Sequence, residues 1–392
     1  MDLAEKKTAP PAAPLGALFG AFLKLGVTAF GGPAMVVHIR KLAVEQRRWL
    51  DEATFRAGVA LCQMIPGATA MQVAAYVGLR ARGVAGAAAT FVAFGLPAFV
   101  LMTLFAAFYA RLYEWPTMVS AFAGLRAVII AIMAHATYTM GRSSLKGWRS
   151  VVIAAAAAAL FALRVNPVPV ILLAALLGWA AFRREPFAPP AAGEAARRPF
   201  PWPLVVLAAL AAAGFLVPAF AGRSLFSLAA LMVRIDLFAF GGGYASLPLM
   251  FHELVVVRSW LDAPTFLNAI ALGQVTPGPI VITATFVGYM AAGPWGAPVC
   301  TAAIFAPSFL MLVGVTPYFD RLRGSRRFTA AIAGVLSSFI GLLFTVTVTF
   351  AWNIPWEPRR AFIAAAAFAA LLLKVRLPWV ILAGTAASIL LL

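Results

Sequence analysis

From residue 15 to the end, the chain is a succession of apolar runs separated by short polar stretches. Most runs are at or near the roughly 20 residues that cross a bilayer as an α-helix. The composition agrees: 63% of the 392 residues are hydrophobic and 11% are charged, against about 25% charged in a soluble domain. A soluble core of this length could not absorb so much apolar surface. The chain reads as an all-α polytopic membrane protein.

A formal net charge of +18 would suit a nucleic-acid partner only if the cations shared one soluble face. Here they sit in short loops between apolar runs, as in a membrane protein whose cytoplasmic loops are enriched in Lys and Arg. The expected surroundings are a lipid bilayer and no nucleic acid. Cys62 and Cys300 stand alone in apolar segments, so no disulfide framework is expected. Residues 1–14 carry no signal-peptide pattern and read as a disordered Pro/Ala leader.

The apolar runs are written twice. FGGP at residues 30–33 returns as FGGG at 240–243, and RRWLDEATF at 47–55 returns as RSWLDAPTF at 258–266. ALCQMIPGA at 60–68 returns as ALGQVTPGP at 271–279, and Pro97 and Gly124 return as Pro307 and Gly334. With one-residue gaps, residues 15–182 map onto 225–392, two copies of one transport-sized unit. A polar, proline-rich linker (residues 183–202) and an unpartnered apolar run (residues 203–221) separate them. If each copy crosses the membrane an even number of times, that one extra span turns the second copy upside down. Two inverted-topology repeats are the ground plan of many secondary transporters.

Loop charge bears on how the runs cross. In thirteen plain spans, the loop holding Arg40, Lys41, Arg47, Arg48 and Arg56 falls on the wrong side for the positive-inside rule, and so does its counterpart with Arg258. The conflict disappears if the runs flanking each loop enter and leave by the same face. FGG and PG would then mark broken or re-entrant helices, a backbone tolerated at membrane depth only where protein buries it or it lines a cavity. Both topologies place the N-terminus inside and invert the halves.

The breaks are the candidate site. Gly31, Gly32, Gly241 and Gly242, with Pro66, Gly67, Pro277 and Gly278, would open helix ends whose free N–H groups and dipole favour anions. Lys24 and Arg234 match across the repeat, each just upstream of its FGG phrase, and charges within spans are costly and usually functional. Arg234 could instead pair structurally with nearby Asp236. Gln63 and Gln274 match as well, one helical turn before each proline, and Thr69, Thr276, Thr283 and Thr285 add hydroxyls. Arg126 faces no cation in the repeat, its counterpart being Leu336, and is a third possible anion contact. Asp236 reads as the only carboxylate within an apolar run and the candidate for proton coupling. Other motifs point to structure or to nothing. Gly16 and Gly20 form a close-packing G-x-x-x-G pair. His38, His135 and His252 lack metal-ligand spacing, and SSLK at 143–146 has no companion motif. No P-loop or HExxH is present, so no cofactor, metal or enzymatic activity is expected. A homodimer is the base-rate assembly.

The glycine phrases, RRWLDEATF, QMIPGA at 63–68, ALGQVTPGP and FVGY at 286–289 resemble, in order and over nearly the full chain, the chromate ion transporter family in its long two-domain form. The first repeat departs from the family's usual PGP, reading Pro66–Gly67–Ala68. The resemblance implies a secondary transporter of the bacterial inner membrane that exports chromate and confers resistance to it. Sulfate, with the same charge and tetrahedral shape, is the alternative substrate, and a non-transporting membrane sensor or scaffold is the alternative of another class.

Overall fold

A computed structural model describes residues 13–30, 33–112, 115–183, 202–220, 225–319 and 324–391. The leader to residue 12, Gly31 and Gly32, and most of the linker lie outside them. Sixteen helices and no strand are found among the described residues. In the first half these are α1 (Leu15–Thr28), α2 (Pro33–Arg40), α3 (Glu52–Met64), α4 (Thr69–Leu112), α5 (Pro116–Ser144), α6 (Trp148–Ala162) and α7 (Pro167–Phe182). The apolar run between the halves forms α8 (Trp202–Phe220). The second half holds α9 (Leu225–Leu237), α10 (Gly243–Phe251), α11 (Ala263–Val275), α12 (Thr283–Ala292), α13 (Gly296–Val315), α14 (Arg326–Trp352), α15 (Pro358–Leu372) and α16 (Leu377–Leu391). Helix α4 leaves helical geometry at Arg82 and Gly83, so its two arms correspond to α12 and α13.

The copies match in backbone detail. Both α2 and α10 run on into π-helical turns, Lys41–Gln46 and His252–Val257. Each is followed by a positive φ, 51° at Arg48 and 50° at Ser259. Asp51 and Asp262 then cap α3 and α11, accepting from Thr54 N at 2.8 Å and Thr265 N at 2.7 Å. The repeated W-L-D-x-x-T stretch is therefore a helix-start signal, and a cap of this kind contributes about 1 kcal/mol.

Ring contacts decide between crossing and re-entrant segments. Trp49, beyond the end of α2, stacks on Phe22 in α1 with centroids 6.3 Å apart. Had α2 continued the direction of α1, a rise of 1.5 Å per residue would separate them by roughly 40 Å. The pair is a hairpin, α2 running back along α1. Helix α3 and the first arm of α4 turn back likewise, since a Cβ on Gly58 would lie 2.2 Å from the Tyr76 ring. That arm ends beside the start of α1, where Arg82 Nη1 donates to Ala13 O at 3.1 Å. Among the described residues, four helices are long and apolar enough to cross a membrane: residues 69–111, 118–144, 296–318 and 326–352.

The inversion is visible where α5 meets α14. Thr137 Oγ1 lies 3.4 Å from Thr347 Oγ1, and these two are counterparts in the repeat. Four residues on, Gly141 faces Ile340, counterpart of Ile130, at 3.6 Å for an added Cβ. Moving forward along α5 thus moves backward along α14. Counterparts that meet on antiparallel helices are related by a twofold axis perpendicular to both, which lies in the membrane plane because both helices cross it.

The halves also interlock. Helix α5 packs on α15 and α16 of the other half, and α14 packs on α6 and α7. Gly124 N donates to Ser388 Oγ at 2.9 Å. At the equivalent contact a Cβ on Gly334 would lie 2.6 Å from Gly178 Cα. Lipid supplies no hydrophobic drive between helices, so such close backbone contact is what holds them together. Helix α8 breaks the symmetry by packing on α9 and α13.

Candidate functional site

Each PG break docks on the residue just before the other half's FGG phrase. Gly67 has φ 111° and Gly278 φ 112°, a region that L side chains rarely adopt. Their amides, freed from the helices, donate across the axis: Gly67 N to Ala239 O and Gly278 N to Ala29 O, both at 2.9 Å. In hydrocarbon an unmade backbone bond costs several kcal/mol, so these two bonds fix the four breaks against one another. Pro66 O accepts from the Gln72 amide at 2.7 Å.

The second glycine phrase is the meeting point. Gly241 and Gly242 have φ 95° and 91°. A Cβ on Gly242 would lie 3.1 Å from Thr69 Oγ1, and one on Gly243 would lie 2.8 Å from Ile280 Cγ2. Thr69 and Ile280 are counterparts that follow the two PG breaks, so one phrase lies between both. Beside Gly241 stand Met140 Cε and Leu336 Cδ2, at 3.4 and 3.7 Å from an added Cβ. The start of α10, where the first N–H groups of a helix lack intrahelical partners, opens at this junction. Gly31 and Gly32 lie outside the described residues.

The side chains expected to match do not share environments. Gln274 is buried and donates to Tyr244 Oη at 3.1 Å, beside the second phrase, whereas Gln63 is exposed. Lys24 is exposed on α1, while the Arg234 side chain is 13% exposed and pairs with Glu253 at 2.5 Å. Helix α8 causes the difference, its Gly214 packing against the Cβ of Arg234. The pairing of Arg234 with Asp236 is corrected: its carboxylate is Glu253, reached across the hairpin and shared with Arg258 at 3.6 Å. Nor is Asp236 the only carboxylate in an apolar arm, since Glu253 is buried as well.

Asp236 is fully buried and accepts from Ser308 N at 2.8 Å and Ser308 Oγ at 2.7 Å. Ser308 Oγ accepts in turn from Ala68 N at 3.0 Å, tying the carboxylate to the first PG break. Arg126 Nε donates to Asn268 Oδ1, and Asn268 Nδ2 to Tyr109 Oη, both at 2.9 Å. Tyr109 is held edge-on by Phe122 and Phe286. Its counterpart Leu336 makes Arg126 informative: the position that adjoins the glycine phrase in the second half carries a guanidinium in the first. Sequence reasoning missed Tyr244, Gln72, Ser308, Asn268 and Glu253. Only the last had a signal, a carboxylate between apolar neighbours.

Outside the membrane-crossing helices, the loop after α2 is tied by charge. Glu52 Oε2 meets Arg40 Nη2 at 2.9 Å and Glu52 Oε1 meets Arg56 Nε at 2.7 Å. Hydrogen bonds from Arg40 and then Arg56 hold the Glu52 carboxyl below its ordinary range. The Thr54 amide does the same for Asp51. No group of three metal-ligating side chains occurs among the described residues.

Comparison with known proteins agrees with this duplicated arrangement. The family model described as Chromate transporter matches twice, over residues 16–179 and 226–389. An uncharacterized transporter of Methanocaldococcus jannaschii is 38% identical over 97% of this chain and 94% of its own. Proteins named chromate transport protein in Cupriavidus metallidurans and Pseudomonas aeruginosa are 31% and 30% identical. These alignments cover 84% and 89% of this chain, and 81% and 84% of theirs. No solved structure matches the chain.

Proposed function

The chain belongs to the chromate transporter family, and we propose that it is a secondary transporter exporting chromate across the bacterial inner membrane, thereby conferring chromate resistance. The observation that carries this reading is the reciprocal docking of the breaks, Gly67 on Ala239 and Gly278 on Ala29. It gathers helix openings from both inverted halves at one junction, where neither half alone would form an anion site. Amides of Gly241 and Gly242, the Gln274–Tyr244 pair and the Arg126 guanidinium are the groups we assign to the oxyanion. Charge-assisted bonds of this kind are the strong ones. Lys24 and Arg234 serve as flanking cations, Arg234 only when an anion competes with Glu253 for it.

Export needs no ATP. A dianion leaving a negative interior gains about 4.6 kcal/mol per 100 mV. Lys41, Arg47 and Arg48 are exposed on the loop that folds back with the N-terminus, which favours a cytoplasmic placement for both. Proteoliposomes loaded with chromate test the reading. An inside-negative potential should accelerate release several-fold over protein-free vesicles, and external sulfate at equal concentration should not halve it. Release indifferent to protein contradicts transport. Strong competition by sulfate reassigns the substrate within the same site.

A further inference from the structure

One ionisable group near the junction has no part in holding an anion. Asp236 is completely buried, and its hydrogen bonds come from Ser308, a neutral side chain, and from the Ser308 amide. Among the described residues, the elements packed most closely on α9 offer it no counter-charge. Helix α8 has no ionisable side chain, α13 brings only Cys300, and α12 only Tyr289. Helix α10 brings Tyr244, which is bonded to Gln274, and leads to His252 and Glu253. The Glu253 carboxylate is taken by Arg234 and Arg258. A lone carboxylate at membrane depth is costly to keep charged. It is also a feature of one half only: the counterparts of Asp236 and Ser308 are Gly26 and Ala98.

We propose that Asp236 and Ser308 form a proton-binding site that couples proton movement to transport through the first PG break; the inference rests on the transport reading above. With Asp236 ionised, the Ser308 hydroxyl donates to the carboxylate and accepts from Ala68 N. When an Asp236 oxygen takes a proton from hydronium on one side, an O–H bond of the hydronium breaks, leaving water, and a new O–H bond forms on the carboxyl. That O–H donates to Ser308 Oγ, and the serine hydrogen must turn away. Ala68 N–H then shares its acceptor, and the grip of the second half on the break at Pro66–Gly67 changes. Release of the same proton to water on the other side restores the original bonds. Chromate leaves as the proton enters, with no other reactant.

The test uses the full chain in chromate-loaded proteoliposomes, with the potential clamped at zero and the inside made alkaline. The gradient should speed wild-type release several-fold. In Asp236→Asn the ratio of rates with and without the gradient should fall to one, while chromate–chromate exchange persists. Comparison between variants cancels protonation of chromate itself. Should Asp236→Asn not fold, Asp236→Gly with Ser308→Ala writes the first half's own packing into the second and should give the same ratio of one. A wild-type rate that ignores the gradient, or either variant keeping the wild-type ratio, overturns the proton site and leaves transport standing. Absence of chromate flux even under an imposed potential overturns the transport reading instead.

Discussion

At Gly67 and Gly278 a single missing Cβ permits both the turn and the docking. Alanine at either position meets a φ that costs about 1–2 kcal/mol for an L residue. At Gly278 its Cβ would also lie 2.7 Å from Ala98 Cβ. Gly278→Ala should therefore lower stability and abolish most chromate flux. Adding Ala98→Gly should recover part of the stability, because it removes the clash and leaves the φ strain. Thermal unfolding of the three proteins in detergent measures this. Arg126→Ala should weaken chromate binding by roughly 10- to 100-fold, the equivalent of a charged hydrogen bond of about 1.5–3 kcal/mol. Arg126→Lys should recover little, since a lysine lacks the fork that Asn268 orients. Equilibrium binding of chromate to purified protein checks both.

At the scale of the element, the hairpins turn back rather than cross, so each inter-arm loop belongs to the face its hairpin started from. Single cysteines at Arg47 and Ser259 should be labelled from opposite sides of the membrane, Arg47→Cys from the cytoplasm. Labelling of both from one side contradicts the inversion. The loop also has a pH signature. Because folding lowers the pKa of Glu52 and Asp51, their contribution is present above the unfolded carboxylate values, about 3.9–4.3. It is lost as pH falls below them. Accessibility of the Arg47→Cys thiol should stay constant from pH 7 to about 5 and rise below about 4.

At the scale of the molecule, two copies of one sequence become two unequal halves. Inversion and helix breaks were legible because glycine and proline phrases recur in register and loop cations disagreed with plain crossings. Environments were not. Matching Lys24 with Arg234, or Gln63 with Gln274, assumes that both copies meet the same neighbours. Helix α8 packs on α9 and α13, and Lys24 on α1 is exposed while Arg234 is enclosed. The partner of Arg234 was hidden because it lies across the hairpin, where the register of the returning arm chooses Glu253 over the nearby Asp236. The Asp236–Ser308–Ala68 chain joins residues from three separate segments, and no local pattern announces it.

The axis between Thr137 and Thr347 carries the whole arrangement, and cysteine pairs test it directly. With Cys62 and Cys300 replaced, Thr137→Cys with Thr347→Cys should oxidise to an intramolecular disulfide in native membranes. Gly141→Cys with Ala351→Cys, counterparts further along the same helices, should not. Efficient bridging of the second pair along with the first would mean that α5 and α14 run parallel, and would contradict the inverted architecture on which the junction depends.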